Sequence, residues 1–85
     1  MSPEFILVSR EGCHLCEAFL DELTLLQSEL GFSVQRKDVD KDEQLLAKFT
    51  EKVPVLLQGN KILCQYFLDP DKVRTALNLM YTPGS

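Results

Sequence analysis

Cys13 and Cys16 stand two residues apart in Gly12-Cys13-His14-Leu15-Cys16, and this is where the chain has side chains able to do redox chemistry. If the first turn of a helix begins at Cys13, both sulfurs project to the same end of that helix, close enough to bridge reversibly. A helix start also presents unpaired N–H groups and the positive end of the macrodipole, which favour thiolate over thiol at Cys13. Cys16 lies one turn in, three and four residues before Phe19 and Leu20, where burial keeps a thiol protonated. The two sulfurs are therefore unequal, one exposed nucleophile and one buried partner. The third cysteine, Cys64, has two readings: a small buried hydrophobe at the end of a strand, or a further redox thiol close to the dithiol.

His14, the only histidine, lies beside Cys13. Protonated, it favours the Cys13 thiolate, whereas Glu11 and Glu17 act in the opposite sense; a solvated His14 with no tuning role is the alternative. Cys13, His14, Cys16 and Cys64 are also soft ligands, so a metal or iron–sulfur module is a competing reading. It requires ligands from elsewhere, because there is one Cys-x-x-Cys pair, and haem attachment requires histidine where Glu17 stands. We expect no bound metal.

The surrounding elements follow from periodicity. Phe5-Ile6-Leu7-Val8 is a continuous apolar run suited to a strand buried on both faces. Leu15, Phe19, Leu23, Leu26 and Leu30 recur at helical spacing and predict a helix packed on that strand, with Gly31 as its C-cap. Phe32 to Lys37 alternates as an edge strand. Asp40 and Glu43 form a capping-box-like pair before a short helix burying Leu45, Leu46 and Phe49. Two β-to-α steps in succession imply a parallel strand pair joined by a right-handed crossover. Val53 to Leu57 predicts a third strand, Gly59-Asn60 a tight hairpin, and Lys61 to Cys64 its antiparallel return. Asp69-Pro70 opens the last helix, with Val73, Leu77 and Met80 on one face and Thr82 to Ser85 as a frayed tail.

This order gives one domain over residues 1–85: an α/β fold of strand, helix, strand, helix, strand, strand, helix. A four-stranded mixed sheet with helices on both faces accommodates it. The net charge of −4 comes from 13 acidic and 9 basic residues scattered along the chain, which argues against nucleic acid as a partner. No apolar run has bilayer length, and the N-terminus lacks the pattern of a secretory signal, so we expect a cytoplasmic protein without a membrane partner. Three cysteines do not make a secreted disulfide scaffold.

Cys13-x-x-Cys16 after the first strand, Val53-Pro54 opening the third, and the hairpin that follows resemble the small glutaredoxin-like proteins of the thioredoxin-fold superfamily. The resemblance covers nearly the whole chain. It implies a thioredoxin-like βαβαββα fold and a cis Pro54 facing the dithiol. It also implies a thiol–disulfide oxidoreductase in which Cys13 attacks a substrate disulfide and Cys16 resolves the mixed disulfide. The substrates implied are disulfide-containing proteins or glutathione mixed disulfides, reduced at the expense of glutathione or a thioredoxin-reductase system. The resemblance implies no bound cofactor and allows glutathione as a co-substrate. Arg10 matches the basic residue that glutaredoxins place on a glutathione carboxylate, and Val53 the residue whose backbone pairs with the tripeptide. Lys52 stands where those proteins carry threonine and offers a replacement charge. Their Gly-Gly falls at Cys64-Gln65, followed by Phe67-Leu68 in place of an acidic residue, so this part of the glutathione contact departs from the pattern. A thioredoxin-fold interaction domain with an incidental dithiol is the remaining alternative.

Overall fold

A computed structural model describes residues 4–50 and 52–81, with side chains up to residue 78. The expected side chain of Met80 and the tail from Thr82 to Ser85 lie outside these residues.

The elements run β1 (Glu4–Ser9), α1 (His14–Leu30), β2 (Ser33–Asp38), a 3-10 turn (Val39–Lys41), α2 (Glu43–Phe49), β3 (Val55–Gln58), β4 (Lys61–Gln65) and α3 (Pro70–Tyr81). They form a four-stranded sheet in the order β2-β1-β3-β4. β1 and β2 are parallel, β3 is antiparallel to β1, and β4 is antiparallel to β3, so β2 is the edge strand its polar end predicts. Gly59, at φ 60°, turns the chain between Gln58 and Lys61. One register shift on β4 lets Leu56 face Cys64 and Leu57 face Ile62.

Strand β1 is buried on both faces because helices cover both sides of the sheet. On one side Phe5, Leu7 and Leu56 meet Phe19, Leu23 and Leu26 of α1 and Val73, Ala76 and Leu77 of α3. Phe5 and Phe32 stack edge to face there, with centroids 5.2 Å apart. On the other side Val8, Val55 and Leu57 meet Phe49 of α2 and Val39. The strand side chains that alternate across β3 thus feed two separate apolar clusters.

Three local expectations are corrected. The buried stripe of α1 is Cys16, Phe19, Leu23 and Leu26, while Leu15 is 42% exposed. The cysteine, one residue on, takes the inward position that the leucine was expected to hold. In α2, Phe49 is buried but Leu46 faces solvent, since seven residues make barely two turns and present a narrow inner stripe. Its cap is Asp42, whose Oδ1 accepts from the N–H groups of Gln44 and Leu45, and not Asp40, which belongs to the preceding 3-10 turn. Gly31 ends α1 in the left-handed conformation with its N–H on the Gln27 carbonyl.

Candidate functional site

β1 delivers the chain to Arg10-Glu11-Gly12, and α1 begins immediately after Cys13. Gly12 has φ 76°, a backbone conformation that favours glycine and sets the sharp approach to the helix. Cys13 is the N-cap residue, with extended backbone, and its Sγ accepts from the Cys16 N–H at 3.1 Å. A sulfur thus occupies the position usually held by the oxygen of serine, threonine or aspartate. Cys13 and Cys16 form a disulfide, with their Cα atoms 5.1 Å apart. Cys13 is half-buried, and Cys16 is only 5% exposed. Cys16 is the more buried of the two, as expected, while Cys13 is less exposed than its position at the helix start predicts.

Both sulfurs belong to the cluster beneath α2, together with Val53, Val55 and Phe49. Val53-Pro54 is a cis peptide bond, as the family resemblance implied, and Pro54 is fully buried. Its carbonyl accepts the N–H of Tyr66 at 2.8 Å, which ties the end of β4 to the start of β3. Gln65 adds a second tie through Nε2 to the Lys52 carbonyl at 3.4 Å, while the Lys52 residue itself faces solvent. Beyond β4, Tyr66 and Phe67 expose apolar surface, and Phe67 is 72% exposed.

The other expected residues are distributed differently. His14 is almost wholly solvated, with Nδ1 3.8 Å from the Glu17 carboxylate. Arg10 donates twice to Asp40, from Nε to Oδ2 at 2.9 Å and from Nη2 to Oδ1 at 3.0 Å. It also lines a pocket of about 170 Å³ with Glu11, Glu17, Arg36 and Cys16, so the buried member of the dithiol is approached from a rim of charged side chains.

Cys64 lies in the cluster beneath α1 and α3, apart from the dithiol. Its Sγ is 3.5 Å from the Asp69 nitrogen and 3.8 Å from the Asp69 carbonyl oxygen. Burial pushes its thiol above the ordinary value, outweighing the backbone hydrogen bond from Asp69 that favours the anion. The buried-hydrophobe reading describes this residue.

The pairing of Asp40 with Arg10 and the bend at Tyr66 escaped sequence reasoning. Asp40 meets Arg10 across 30 residues of chain, and no local pattern reports such a pair. Tyr66 takes φ 69° at a bend, a conformation that its residue type does not advertise.

A dithiol at a helix start and a cis-proline leading into the third strand, on a four-stranded mixed sheet with three α-helices, define a thioredoxin-like α/β protein. Thioredoxin 1 from Thermosipho africanus superposes with a TM-score of 0.63 at 14% identity, covering 91% of this chain and 97% of the thioredoxin, a likeness of fold alone. Protein Ne2328 from Nitrosomonas europaea is more similar, with a TM-score of 0.78 and 35% identity over 89% of this chain and 92% of that one. The uncharacterized protein Rv0508 of Mycobacterium tuberculosis is 31% identical over 77 residues, 85% of this chain and 79% of its own. Residues 4–78 match the family described as Glutaredoxin-like domain (DUF836), and the chain belongs to that family. Among the described residues, no helix is long and apolar enough to cross a membrane.

Proposed function

We propose that the chain is a thiol–disulfide oxidoreductase that reduces protein disulfides or glutathione mixed disulfides through Cys13 and Cys16. The observation that carries this reading is the placement of Cys13: its sulfur accepts a backbone N–H at the start of α1, while Cys16 is held one turn deeper within bridging distance. A hydrogen bond to the sulfur and the helix N-terminus both favour the anion, which is the attacking species.

In the reduced protein the Cys13 thiolate attacks one sulfur of the substrate disulfide, forming a mixed disulfide and releasing the other sulfur as thiolate. Cys16 then gives up its proton to solvent or to that thiolate and attacks Cys13 Sγ. The Cys13–Cys16 disulfide forms, the second substrate sulfur leaves, and two electrons have passed to the substrate. Because the attacking and accepting sulfurs are preassembled, the second step is intramolecular and fast. A thiol donor, either glutathione or a thioredoxin-reductase system, restores the dithiol by the reverse exchange. Val53 belongs to the apolar cluster against which Cys13 packs, and Gln65 ties down the preceding residue through the Lys52 carbonyl.

The test is reduction of a disulfide-bonded protein and of a glutathione mixed disulfide, each with both donors. Cys13→Ser is expected to abolish turnover, and Cys16→Ser to accumulate a covalent adduct at Cys13 visible by mass spectrometry. A Cys13→Ser chain as active as the native one would overturn the reading. An absorption spectrum of protein purified without oxygen, with metal analysis, tests the metal alternative on the same preparation.

A further inference from the structure

The two faces of the sheet are covered unequally. On one side lie α1, of 17 residues, and α3, of 12, whereas on the other α2 has seven, about 10 Å of helix. Between α2 and the hairpin that joins β3 to β4 a recess of about 220 Å³ remains. Its floor is apolar: Ile6 of β1 and Leu57 of β3 meet Leu45 and Phe49 of α2. Two cations stand over that floor, Lys37 of β2 and Lys48 of α2. Lys37 is in register with Val8, whose side chain lies in the cluster beneath α2, and it is half-buried. Among the described residues, none that lines the recess is acidic, and neither lysine ammonium makes an ion pair. Lys37 also borders a groove containing Glu11 and Asp38, yet it pairs with neither. In a chain of net charge −4, two cations without carboxylates above an apolar floor suit a ligand that brings its own negative charge.

We propose that this recess binds a small organic anion whose body is one ring or a short branched chain. Lys37 and Lys48 take the acidic group, and the floor of Ile6, Leu45, Phe49 and Leu57 takes the body. The side-chain amides of Gln44 and Asn60 supply hydrogen-bonding groups at the same recess. Its volume is below the roughly 300 Å³ at which sites for drug-sized ligands begin, which limits the occupant to a single ring or its equivalent. Neither Cys13 nor Cys16 lines the recess, which lies at the hairpin end of β3, whereas Val53-Pro54 lead into the other end. Binding here is separate from the disulfide chemistry.

The probe is phenyl phosphate, which joins a ring to an anion; inorganic phosphate supplies the charge alone and benzyl alcohol the ring alone. Titration into the native chain, followed by amide NMR, is expected to give saturable shifts at Lys37, Lys48, Gly59 and Asn60. Each partial probe is expected to bind at least about threefold more weakly. Lys37→Gln and Lys48→Gln should each weaken phenyl phosphate about two- to fivefold, the range of a partly exposed ion pair, and added salt should weaken it in the native chain. Lys48 is exposed on α2, so its variant carries the test if Lys37→Gln does not fold. Cys13→Ser is expected to bind the probe as tightly as the native chain, so failure of disulfide reduction leaves this result standing. The absence of saturable shifts, shifts centred on Cys13, a partial probe as tight as phenyl phosphate, or affinity unchanged in a folded lysine variant overturns the proposal.

Discussion

The N–H of Tyr66 donates to the carbonyl of Pro54 at 2.8 Å, fastening the segment that leaves β4 to the proline that leads into β3. Tyr66 reaches this bond with φ 69°, where a side chain with a Cβ costs about 1 kcal/mol. Tyr66→Gly removes that cost but gives up the contacts of a largely exposed ring and enlarges the unfolded ensemble, so stability is expected to stay within about 1 kcal/mol of native. Tyr66→Val, β-branched at the same backbone angles, is expected to lose about 1–2 kcal/mol in urea unfolding.

Cys64 is expected to resist alkylation in the folded protein. With the dithiol reduced, iodoacetamide near neutral pH should label Cys13 first, and Cys64 only after denaturant is added. Peptide mass mapping reads the order.

The same burial predicts an alkaline dependence of stability. The folded thiol of Cys64 is raised above its ordinary value of 9.0. Its contribution is therefore fully present below that value and is lost as pH rises through the raised folded value, because the unfolded chain releases the proton first. As pH rises above 9 the native chain is expected to lose stability more steeply than Cys64→Ala, whatever the offset from the cavity that alanine leaves. Parallel slopes in chemical unfolding across that range would remove the thiol from the account.

Asp42→Ala is expected to cost about 1 kcal/mol, because the N–H groups of Gln44 and Leu45 lose the oxygen that caps α2. Asp40→Ala leaves those two bonds in place and should cost less. Thermal or urea unfolding ranks the pair.

Phe19→Ala should destabilise by about 3–5 kcal/mol, whereas Leu15→Ser should fall within about 0.5 kcal/mol of native. Phe19 is 2% exposed and Leu15 is 42% exposed, although both were assigned to one apolar stripe.

That contrast shows how far the sequence could be read. The continuous run Phe5 to Val8, the Gly59-Asn60 hairpin, Gly31 and Asp69-Pro70 each carry a local signal, and each lies where that signal puts it. The dithiol was equally legible, because spacing and a helix start are properties of a few consecutive residues. The orientation of α1 was not. Leu15 and Cys16 both suit an apolar stripe, and only packing against the sheet decides that Cys16 turns inward while Leu15 faces water. Asp40 was misread as a cap because a 3-10 turn intervenes before α2, shifting the capping position to Asp42. The partner of Arg10 lay beyond any local pattern, since ion pairs across 30 residues are made by topology. Cys64 needed the side of the sheet to be known before its two readings could be separated.

The division of the core bears on the odd number of thiols. A protein that makes and breaks a disulfide while carrying a spare cysteine is exposed to scrambling, in which the bridge migrates to the wrong partner. Here the dithiol sits in the cluster beneath α2 and Cys64 in the one beneath α1 and α3, its sulfur engaged by the backbone of Asp69. Moving the bridge to Cys64 therefore requires that thiol to leave the packed cluster that holds it.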